Sequence, residues 1–536
     1  MRAFTVIVLV GILAGILAAT GFCPAAPPKP KVASRQYKRV HQAALTQILG
    51  GNAAGAVKQL KNYLAKDAGD AESYYMLAQA YVRQADPEAA LDALRRAIRL
   101  GLPPGRFVSG ADSPFAVLRN KNRYQQLLDL YGHRIVHGPL LGCVTGRSVK
   151  IWLRTAQPAE VRVSYEKVDK NPAAAGETSP VLTRKETDHT AVLSVDELQP
   201  QTTYRYWVTV NGQRAHVEPF RFRTAAVKGV GSKFKIAFGG GAGYVPPNER
   251  VWDTIAEQKP DVLLLLGDNV YSDDPKTPQM QRYCYYRRQS RPEFQRLTAN
   301  TPVYSIWDDH DFGTNDCWGG PDIDDPKWKR PVWNIFRNNW NNPAYGGGKQ
   351  QPGCWYDFYI GDVHFIMLDG RYYRTDPKSD ARSMLGPAQK EWLLETVNKS
   401  TGTFKVLASP VPWTFNAKGD SRDTWNGYRA ERKEIFDFLT KNEIGGVILI
   451  SADRHRSDLW KIDRPNDYAL YEMNSSRLTN QHVHQTMEKA LFSYNEKQSF
   501  GIVQFDTTAD DPTVTYRIIT IDGEQVHAFS LNLSKL

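Results

Sequence analysis

Residues 303–316 read VYSIWDDHDFGTND, an apolar strand-like run that passes directly into a cluster of acidic, histidine and asparagine side chains. Three other apolar runs end in the same way: LLLLGDNVY at 263–271, FIMLDGR at 365–371 and VILISADRH at 447–455. A carboxylate at the end of a buried strand must be paired, solvated or bound to a cation, because burying an uncompensated charge is costly. One such cluster is compatible with a helix cap or a loop salt bridge, but four together predict a site that binds metal ions and phosphate.

The sequence around these runs alternates between strand and helix patterns from residue 233 onward. Apolar runs lie at 234–238, 262–266, 303–306, 365–368, 406–408 and 447–450, and helical patterns lie at 249–258, 387–398 and 428–441. Such alternation predicts buried central sheets flanked by helices, with the ligand groups in loops at the strand ends. We therefore expect an α/β sandwich over residues 233–536.

Residues 136–225 show alternating β patterns instead, at 149–153, 161–165 and 204–210. Asn211-Gly212 is a strong two-residue hairpin turn. LQP at 198–200, followed by Thr203 and Tyr204, resembles the corner of fibronectin type III domains, where the tyrosine hydroxyl bonds back to a loop. We expect a small fibronectin type III-like β-sandwich that positions or borders the next domain.

Residues 40–132 contain two segments that match each other at an interval of 34 residues, GNAAGAV at 51–57 and ADPEAAL at 85–91. The interval resembles tetratricopeptide repeats and predicts a small all-α repeat region. Residues 113–128 could supply a closing helix pair. A groove for a protein partner and a helical spacer are both open interpretations.

The N-terminal residues 1–26 have the pattern of an export signal, with Arg2 before an apolar run at 5–20 and small residues at the end. The run is shorter than the ~20 residues of a spanning helix, so a stable membrane span is not expected. Lipidation of Cys23 is a second interpretation. A linker rich in Pro and Lys follows at 27–39, and we expect an exported protein that is periplasmic, attached to the cell surface or secreted.

Composition and cysteine usage add broad limits. Hydrophobic residues make up 41% and charged residues 23% of the 536, which is typical of a globular protein with two or three domains. The formal net charge of +11 favours anionic substrates or surfaces. Beyond residue 26 only Cys143, Cys284, Cys317 and Cys354 occur. They allow one or two disulfides, for which Cys317 with Cys354 is the first guess, and free buried thiols are the alternative.

Three motifs occur in the order GDNVY at 267–271, WDDHD at 307–311 and SADRH at 451–455. They resemble motifs of the PhoD-like alkaline phosphatase family, a branch of the calcineurin-like metallophosphoesterases. LDGRYYR at 368–374, LGPAQ at 385–389 and WNGY at 425–428 support the resemblance, which covers about residues 233–500. It implies a metallophosphatase domain over residues 233–536.

The resemblance also implies roles for single residues. Asp268 would be a bridging metal ligand and Tyr271 a phenolate ligand to ferric iron. Further metal ligands would come from the second and third motifs, namely Asp309, Asn315, Asp453 and His455. Asp308 could share or replace the role of Asp309.

Two catalytic residues are implied as well. His310 would lie near the leaving group, as a general acid or a hydrogen-bond donor to phosphate, or else orient a neighbouring ligand. Arg371 could clamp a phosphoryl oxygen, because a guanidinium suits pairs of oxygens, or form a surface salt bridge.

One departure from the family pattern concerns the metal. The family places a cysteine, a thiolate ligand to iron, just after the first catalytic strand, whereas this chain continues with the glycine run at 239–241. The resemblance implies iron and calcium, and loss of the thiolate favours divalent ions that prefer oxygen ligands. Asn248 or Glu249 could compensate, or the glycines could let backbone amides approach phosphate.

The implied function is an exported, metal-dependent phosphoesterase that hydrolyses phosphomonoesters, phosphodiesters or both through a metal-activated water. The substrate would be a small molecule, a lipid head group, or a cell-wall or nucleic-acid fragment. A catalytically degenerate surface protein that binds a partner is one alternative. A purple acid phosphatase-like enzyme is another, although it would need Gly-Asn-His-Glu and Gly-His-x-His motifs where this chain has WDDHD and ADRHR.

Overall fold

The computed structural model of the protein describes residues 37–168 and 175–536. The expected export signal at 1–26 and most of the expected linker at 27–39 lie outside the described residues. Among the described residues the first helix begins at Tyr37, so the last three residues assigned to the linker are helical. Within the described ranges, every helix is too short or too polar to cross a bilayer.

The N-terminal part is helical. Its helices are α1 (Tyr37–Leu49), α2 (Ala53–Leu64), α3 (Ala71–Arg83), α4 (Pro87–Arg99) and α5 (Asn122–Tyr131). α1 and α3 begin at residues 37 and 71, and α2 and α4 at 53 and 87, so both pairs are 34 residues apart, as the sequence indicated. Asn52, Asp70 and Asp86 cap α2, α3 and α4 by accepting a hydrogen bond from the third residue beyond them. The tetratricopeptide identity of these helices stays a prediction.

A β-sandwich follows. Its strands are β1 (Ile135–Gly142), β2 (Val149–Thr155), β3 (Glu160–Lys167), β4 (Ala175–Glu177), β5 (Val181–Leu182), β6 (Thr190–Val195), β7 (Thr203–Val210), β8 (Gln213–Arg214) and β9 (Phe220–Arg223). Strands β1, β2 and β6 form one sheet, and β3 and β7 lie at the centre of the other. The hairpin at Asn211-Gly212 is confirmed, since Val210 pairs with Gln213 across it. The Tyr204 hydroxyl accepts from the backbone N–H of Gln199 at 2.9 Å, which is the predicted corner contact.

The remaining residues form two larger sheets with helices around them. The strands are β10 (Lys233–Gly239), β11 (Val262–Leu266), β12 (Val303–Ile306), β13 (Tyr356–Ile360), β14 (Val363–Met367), β15 (Phe404–Ala408), β16 (Ala417–Asp420), β17 (Val447–Ser451), β18 (Ser457–Arg464), β19 (Asp467–Asn474), β20 (Phe492–Tyr494), β21 (Ser499–Asp506), β22 (Thr513–Thr520) and β23 (Gln525–Asn532). The helices are α6 (Val251–Glu257), α7 (Pro278–Gln289), α8 (Pro292–Thr298), α9 (Asp309–Phe312), α10 (Lys329–Asn339), α11 (Gly386–Asn398) and α12 (Arg429–Lys441). The helix predicted at 249–258 begins at Val251, two residues later than expected.

The two sheets pack against each other. One has the order β12-β11-β10-β21-β22-β23, and the other has the order β13-β14-β15-β17-β19-β18-β20. β10, β11 and β12 run parallel, as do β14, β15, β17 and β19. Phe234 of the first sheet contacts Phe365 of the second, and Phe505 contacts both rings. Apolar strand runs are thus buried between layers, and their polar continuations emerge in the loops beyond the strands.

The guessed disulfide between Cys317 and Cys354 is wrong, because both remain thiols. The Cys317 sulfur contacts the carbonyl oxygen of Asp309 at 3.7 Å. Cys354 is fully buried, and its backbone N–H donates to Asp369 at 2.9 Å. The two loops hold these cysteines at different places in the core.

Candidate metal centre

The loops that follow β11, β12 and β17 meet at a cavity of about 440 Å³. This arrangement follows from the sheet topology, because the carboxyl ends of parallel strands share one edge of a sheet. Six of the eight residues proposed from the sequence line the cavity, namely Tyr271, Asp309, His310, Asn315, Asp453 and His455. No residue of the described parts of the β-sandwich lines it. Asp268 and Arg371 lie outside the lining.

Asp268 contacts the lining of the cavity through Tyr271. It offers one carboxylate oxygen to a group with Asp309 and His310 in which all candidate ligand atoms lie within 4.8 Å of one another. Its Oδ2 accepts from the Tyr271 hydroxyl at 2.8 Å, while Oδ1 is buried and, among the described residues, has no hydrogen-bond partner. Burial raises the pKa of Asp268 well above its ordinary value, and the neighbouring Asp309 and Asp308 carboxylates raise it further. A cation beside Oδ1 would relieve both penalties.

The backbone around Asp268 is unusual in conformation. Asp268, Asp453 and His455 have φ values of +55°, +64° and +49°, in the left-handed region. Side chains other than glycine adopt this region at a cost, and such residues concentrate at functional sites. Gly267, with φ of +96°, leaves no room for a side chain, since a β-carbon there would lie 2.5 Å from Cβ of Asp308. The strand end is thereby bent so that Asp268 faces the loop of the second motif.

The structure separates the two aspartates of the second motif. Asp309 lines the cavity, whereas Asp308 turns inward, where its Oδ1 accepts from Nε of Arg371 at 2.6 Å. Asp311 has a structural role, because its carboxylate accepts the backbone N–H groups of Asp308 and Val270, both at 3.0 Å. Asp309 is therefore the member of the pair that could bind a cation at the cavity.

His310 is held on two sides. Its Nδ1 is hydrogen-bonded to Oδ1 of Asp273, and its ring stacks on Tyr271 with centroids 4.2 Å apart. Burial alone would lower the pKa of His310, but the Asp268, Asp309 and Asp273 carboxylates outweigh it and raise the pKa to about 10. Because Nδ1 is engaged by Asp273, Nε2 is the nitrogen left for the cavity that the ring lines.

Asp453 and His455 line the same cavity from the other sheet. Burial would raise the pKa of Asp453, but Lys418 and Arg454 outweigh it and hold the pKa well below its ordinary range. Burial lowers the pKa of His455 well below its ordinary value, so the ring is neutral and able to bind a metal. The Nδ1 of His455 is buried without a hydrogen-bond partner among the described residues.

A second acidic group, Asp309 with Asp316 and Asp423, has ligand atoms within 4.8 Å of one another. Its charge is already largely compensated. Nζ of Lys418 lies 3.0 Å from Asp316 and 2.9 Å from Asp423. Arg371 also pairs with Asp423, at 2.7 Å. This group is consequently a weaker candidate for a cation than the one around Asp268.

The proposed clamp role of Arg371 needs correction. Its guanidinium is completely buried and is bonded to the carboxylates of Asp308 and Asp423 and to the carbonyl oxygen of Cys317. Four of its five N–H donors are used in this way, and Arg371 does not line the cavity, so it is not placed to clamp a phosphoryl oxygen there. Arg371 instead ties the second motif to the loop that carries Asp423.

In the glycine run after β10, Gly240 has little room for a side chain such as the family cysteine. A β-carbon at Gly240 would lie 2.7 Å from Cβ of Ala452 and 3.0 Å from the carbonyl oxygen of Gly267. The backbone N–H groups of Gly240 and Gly241 donate to the carbonyl oxygens of Ser475 and Gly267, so they do not face a phosphate. Asn248 and Glu249, suggested as replacements for the cysteine ligand, do not face the cavity either.

Asn248 and Glu249 both point away from the cavity. Nδ2 of Asn248 donates to the carbonyl oxygen of Thr479 at 2.9 Å. Glu249 is fully buried and pairs with Arg288 and the indole N–H of Trp252. Neither side chain lines the cavity, so neither replaces the thiolate.

Several residues at the site were missed from the sequence. Asn480 donates from Nδ2 to the Tyr271 hydroxyl at 2.7 Å, and Lys418 joins the two acidic loops. Both lie far along the chain in segments without a recognisable motif. Asp273 was detectable, because it follows the first motif by two residues and is acidic.

Comparison with known proteins gives two family matches and one curated relative. The sequence model described as PhoD-like phosphatase matches residues 236–516, and one described as Domain of unknown function (DUF7800) matches residues 132–225. Alkaline phosphatase D of Bacillus subtilis (strain 168) is 24% identical over 342 residues, which are 54% of this chain and 56% of that protein. The match thus spans little more than half the length of that curated relative.

Solved structures share the fold. A structure of PhoD has a TM-score of 0.62 at 18% identity and covers 74% of this chain and 89% of its own. A purple acid phosphatase from yellow lupin (Lupinus luteus) seeds has a TM-score of 0.54 at 12% identity, with coverage of 74% and 75%. These likenesses confirm the metallophosphoesterase-like sheet-and-helix fold. The fibronectin type III-like assignment stays a prediction.

Proposed function

The chain belongs to the PhoD-like phosphatase family, and we propose that it is a metal-dependent phosphoesterase that hydrolyses phosphomonoesters, phosphodiesters or both. The observation that carries the proposal is the Asp268 carboxylate, which is buried with one oxygen unpartnered among the described residues and is grouped with Asp309 and His310, two residues that line the 440 Å³ cavity. Buried acidic groups of this kind need a cation. A cavity of this size also has room for an ester substituent as well as the phosphoryl group.

The donor set suits divalent cations that prefer oxygen ligands. Asp268, Asp309, Asn315 and Asp453 would supply oxygens, and His455 a ring nitrogen. None of the cysteines in the described part of the chain lines the cavity, so we propose calcium, magnesium or manganese in preference to iron. When bound, such cations neutralise phosphoryl oxygens and lower the pKa of a water molecule.

The chain's own residues then hold the ligands in place and donate a proton to the leaving group. Tyr271 holds Asp268 through its hydroxyl, while Asn480 in turn holds Tyr271. His310, kept in one orientation by Asp273, would carry a proton on Nε2 toward the leaving oxygen of the ester. Arg371 supports Asp308 from below, so it acts on the site without contacting substrate.

The broader role is also a proposal. The N-terminal pattern at 1–26 supports export, and the cationic net charge of +11 suits anionic esters such as lipid head groups or fragments of cell-wall polymers and nucleic acids. The absence of the family cysteine favours one competing function, a degenerate surface protein that binds a partner. Metal content and turnover distinguish the two.

The test is hydrolysis of a nitrophenyl phosphomonoester and a bis-nitrophenyl diester, with and without chelator, after elemental analysis of the same sample. We expect turnover that the chelator abolishes, and Asp268→Asn should lower it by at least about 100-fold because a bridging ligand is lost. Asp253→Asn, at an exposed pair with Arg296, is the matched control. Metal-free protein that stays inactive on both esters after reconstitution would support the degenerate protein instead.

A second readout does not depend on activity. Adding calcium or manganese at 100 times its Kd should raise the free energy of unfolding by about 3 kcal/mol, since the cation binds only the folded cluster. Asp268→Asn should remove most of this rise. Equal stabilisation of native protein and Asp268→Asn would contradict the assignment of Asp268 as a ligand.

A further inference from the structure

The helical N-terminal part reaches the cavity. Tyr37 and Arg39 of α1 are among the residues that line it, although both lie outside residues 236–516, which match the phosphatase family. The Tyr37 ring packs on Tyr244, the residue that closes the glycine-rich loop after β10, with centroids 5.9 Å apart. The helical unit is therefore in contact with the catalytic loops and is more than a spacer in front of them.

Helix α1 contacts three consecutive residues at the end of the first motif and just after it, through two hydrogen bonds and one ion pair. Nε2 of Gln42 donates to the carbonyl oxygens of Tyr271 at 2.5 Å and Ser272 at 3.2 Å. Nη1 of Arg39 lies 3.2 Å from Oδ2 of Asp273. Arg39 and Gln42 are three residues apart on one helix, so they project from the same face. This face of α1 thus holds the loop through both backbone and side chain.

The loop connects α1 to His310. The Asp273 carboxylate forms an ion pair with Arg39 through Oδ2 and a hydrogen bond with His310 Nδ1 through Oδ1, so one side chain joins both. A carboxylate bridged between a guanidinium and an imidazole has little freedom to rotate, and it fixes the ring that it contacts. Ser272 adds to the connection, because its hydroxyl donates to the carbonyl oxygen of His310 at 3.0 Å.

The helix itself is rigidly seated. The Tyr37 hydroxyl donates to Asp70, which caps α3, and the His41 ring is hydrogen-bonded to the same carboxylate at 2.9 Å. Tyr75 of α3 stacks on Tyr283 of α7, with centroids 6.3 Å apart, on the catalytic side. A displacement of α1 would disturb these buried contacts, so Arg39 has a defined position relative to the loop.

We propose that Arg39 is a positioning residue of the active site: through Asp273 it orients His310 for its proton transfer to the leaving group of the ester. The inference rests on the proposed function and deepens it, by assigning a role in that site to a helix from outside the family domain. Arg39 is linked to the acidic cluster through Asp273, which is not itself a candidate metal ligand. Its side chain is 55% exposed, so its replacement should leave the fold intact.

The test uses leaving groups of different quality. A proton donor matters for an alkyl phosphate, whose alkoxide leaves poorly, and matters little for a nitrophenyl phosphate. In the full-length protein, Arg39→Ala should lower kcat about tenfold on the alkyl ester and no more than about twofold on the nitrophenyl ester, with KM unchanged. Arg39→Lys should recover most of the loss, since it keeps a cation beside Asp273. Arg99→Ala, at an exposed arginine of α4 that does not line the cavity, is the control.

A double-mutant cycle supplies the second arm. If Arg39 acts through Asp273, Arg39→Ala added to Asp273→Ala should lower kcat on the alkyl ester no further than Asp273→Ala alone. Equal losses on both esters, or losses that multiply in the double variant, would overturn the proposal while leaving the phosphoesterase function standing. Native protein without turnover on either ester would remove the proposed function and this inference together.

Discussion

Asp423→Asn should destabilise the protein strongly while changing almost nothing in shape. The Asp423 carboxylate lies 2.7 Å from Arg371, 3.0 Å from Arg374 and 2.9 Å from Lys418. Both guanidiniums are buried, with exposed fractions of 0% and 1%. Burial alone would raise the pKa of Asp423, but the three cations outweigh it and hold the pKa well below its ordinary value, so the group is ionised.

The magnitude follows from the partners that remain. After the substitution Arg371 keeps Asp308, whereas Arg374 keeps the hydroxyl of Tyr428, at 3.0 Å, but loses its only carboxylate in the described part of the chain. Breaking a buried ion pair by removing one partner costs about 3–5 kcal/mol. We expect the free energy of unfolding to fall by this amount.

Urea denaturation followed by tryptophan fluorescence measures the effect, with chelator present so that bound cations do not compensate. The dependence on urea should keep its slope, since the surface exposed on unfolding is unchanged. Asp420→Asn, at an exposed aspartate of β16, is the matched control. A loss below about 1 kcal/mol would refute the argument, because surface ion pairs contribute no more than that.

The same reasoning separates the two hypotheses for Arg371. If it clamped a phosphoryl oxygen, Arg371→Met would raise KM and leave stability unchanged. The buried contacts predict the reverse, a loss of about 3 kcal/mol or more in stability with little change in KM.

Two further predictions concern the glycine run and the helical unit. Gly240→Cys, which introduces a cysteine into the glycine run, should lower the free energy of unfolding by about 1–3 kcal/mol, because the new side chain would contact Ala452. Adding Ala452→Gly should recover part of this loss, as measured in urea titrations. Native-like stability of Gly240→Cys alone would contradict the prediction. Burial alone would raise the pKa of Asp70, but His41 and the Ser73 and Tyr37 hydroxyls outweigh it and lower the pKa to about 2. A carboxyl group whose pKa is lower in the folded state than in the unfolded state stabilises the fold at pH values above its unfolded-state pKa. For Asp70 this stabilisation is about 2 kcal/mol at pH 7, and it is lost as the pH falls from about 4 to 2. The stability difference between native protein and Asp70→Asn should therefore shrink between pH 6 and pH 3, and a difference independent of pH would show that Asp70 does not titrate in this way.

The catalytic strands and much of the candidate site were predictable because each signal is local. Four runs of buried apolar residues end in polar clusters, and parallel strands bring such ends to one edge. The hairpin at Asn211-Gly212 was predictable for the same reason, since its turn needs residues that tolerate positive φ, and both have it. Both the strand periodicity and the turn preference depend on a few neighbouring residues.

The supporting contacts were not predictable, because their partners are far apart in sequence. Gln42 bonds to Tyr271 across 229 residues, and Asn480 bonds to the same tyrosine across 209. The direction in which a side chain points is also hidden: Asp308 turns inward to pair with the buried guanidinium of Arg371, which lies 63 residues away in sequence. Residue type indicated chemistry, but tertiary packing decided which residues face the cavity.

The missing cysteine and the docked helical unit involve one segment of the chain. The loop after β10 turns over Gly240 and Gly241 and leads into Tyr244, which packs against Tyr37 of α1. Ala242, between them, donates its N–H to the carbonyl oxygen of Asp268 at 2.8 Å, so the same loop also supports the first ligand. A side chain at Gly240 would meet Ala452, next to Asp453. Close packing of this loop therefore disfavours a side chain at Gly240 and creates the surface on which α1 rests.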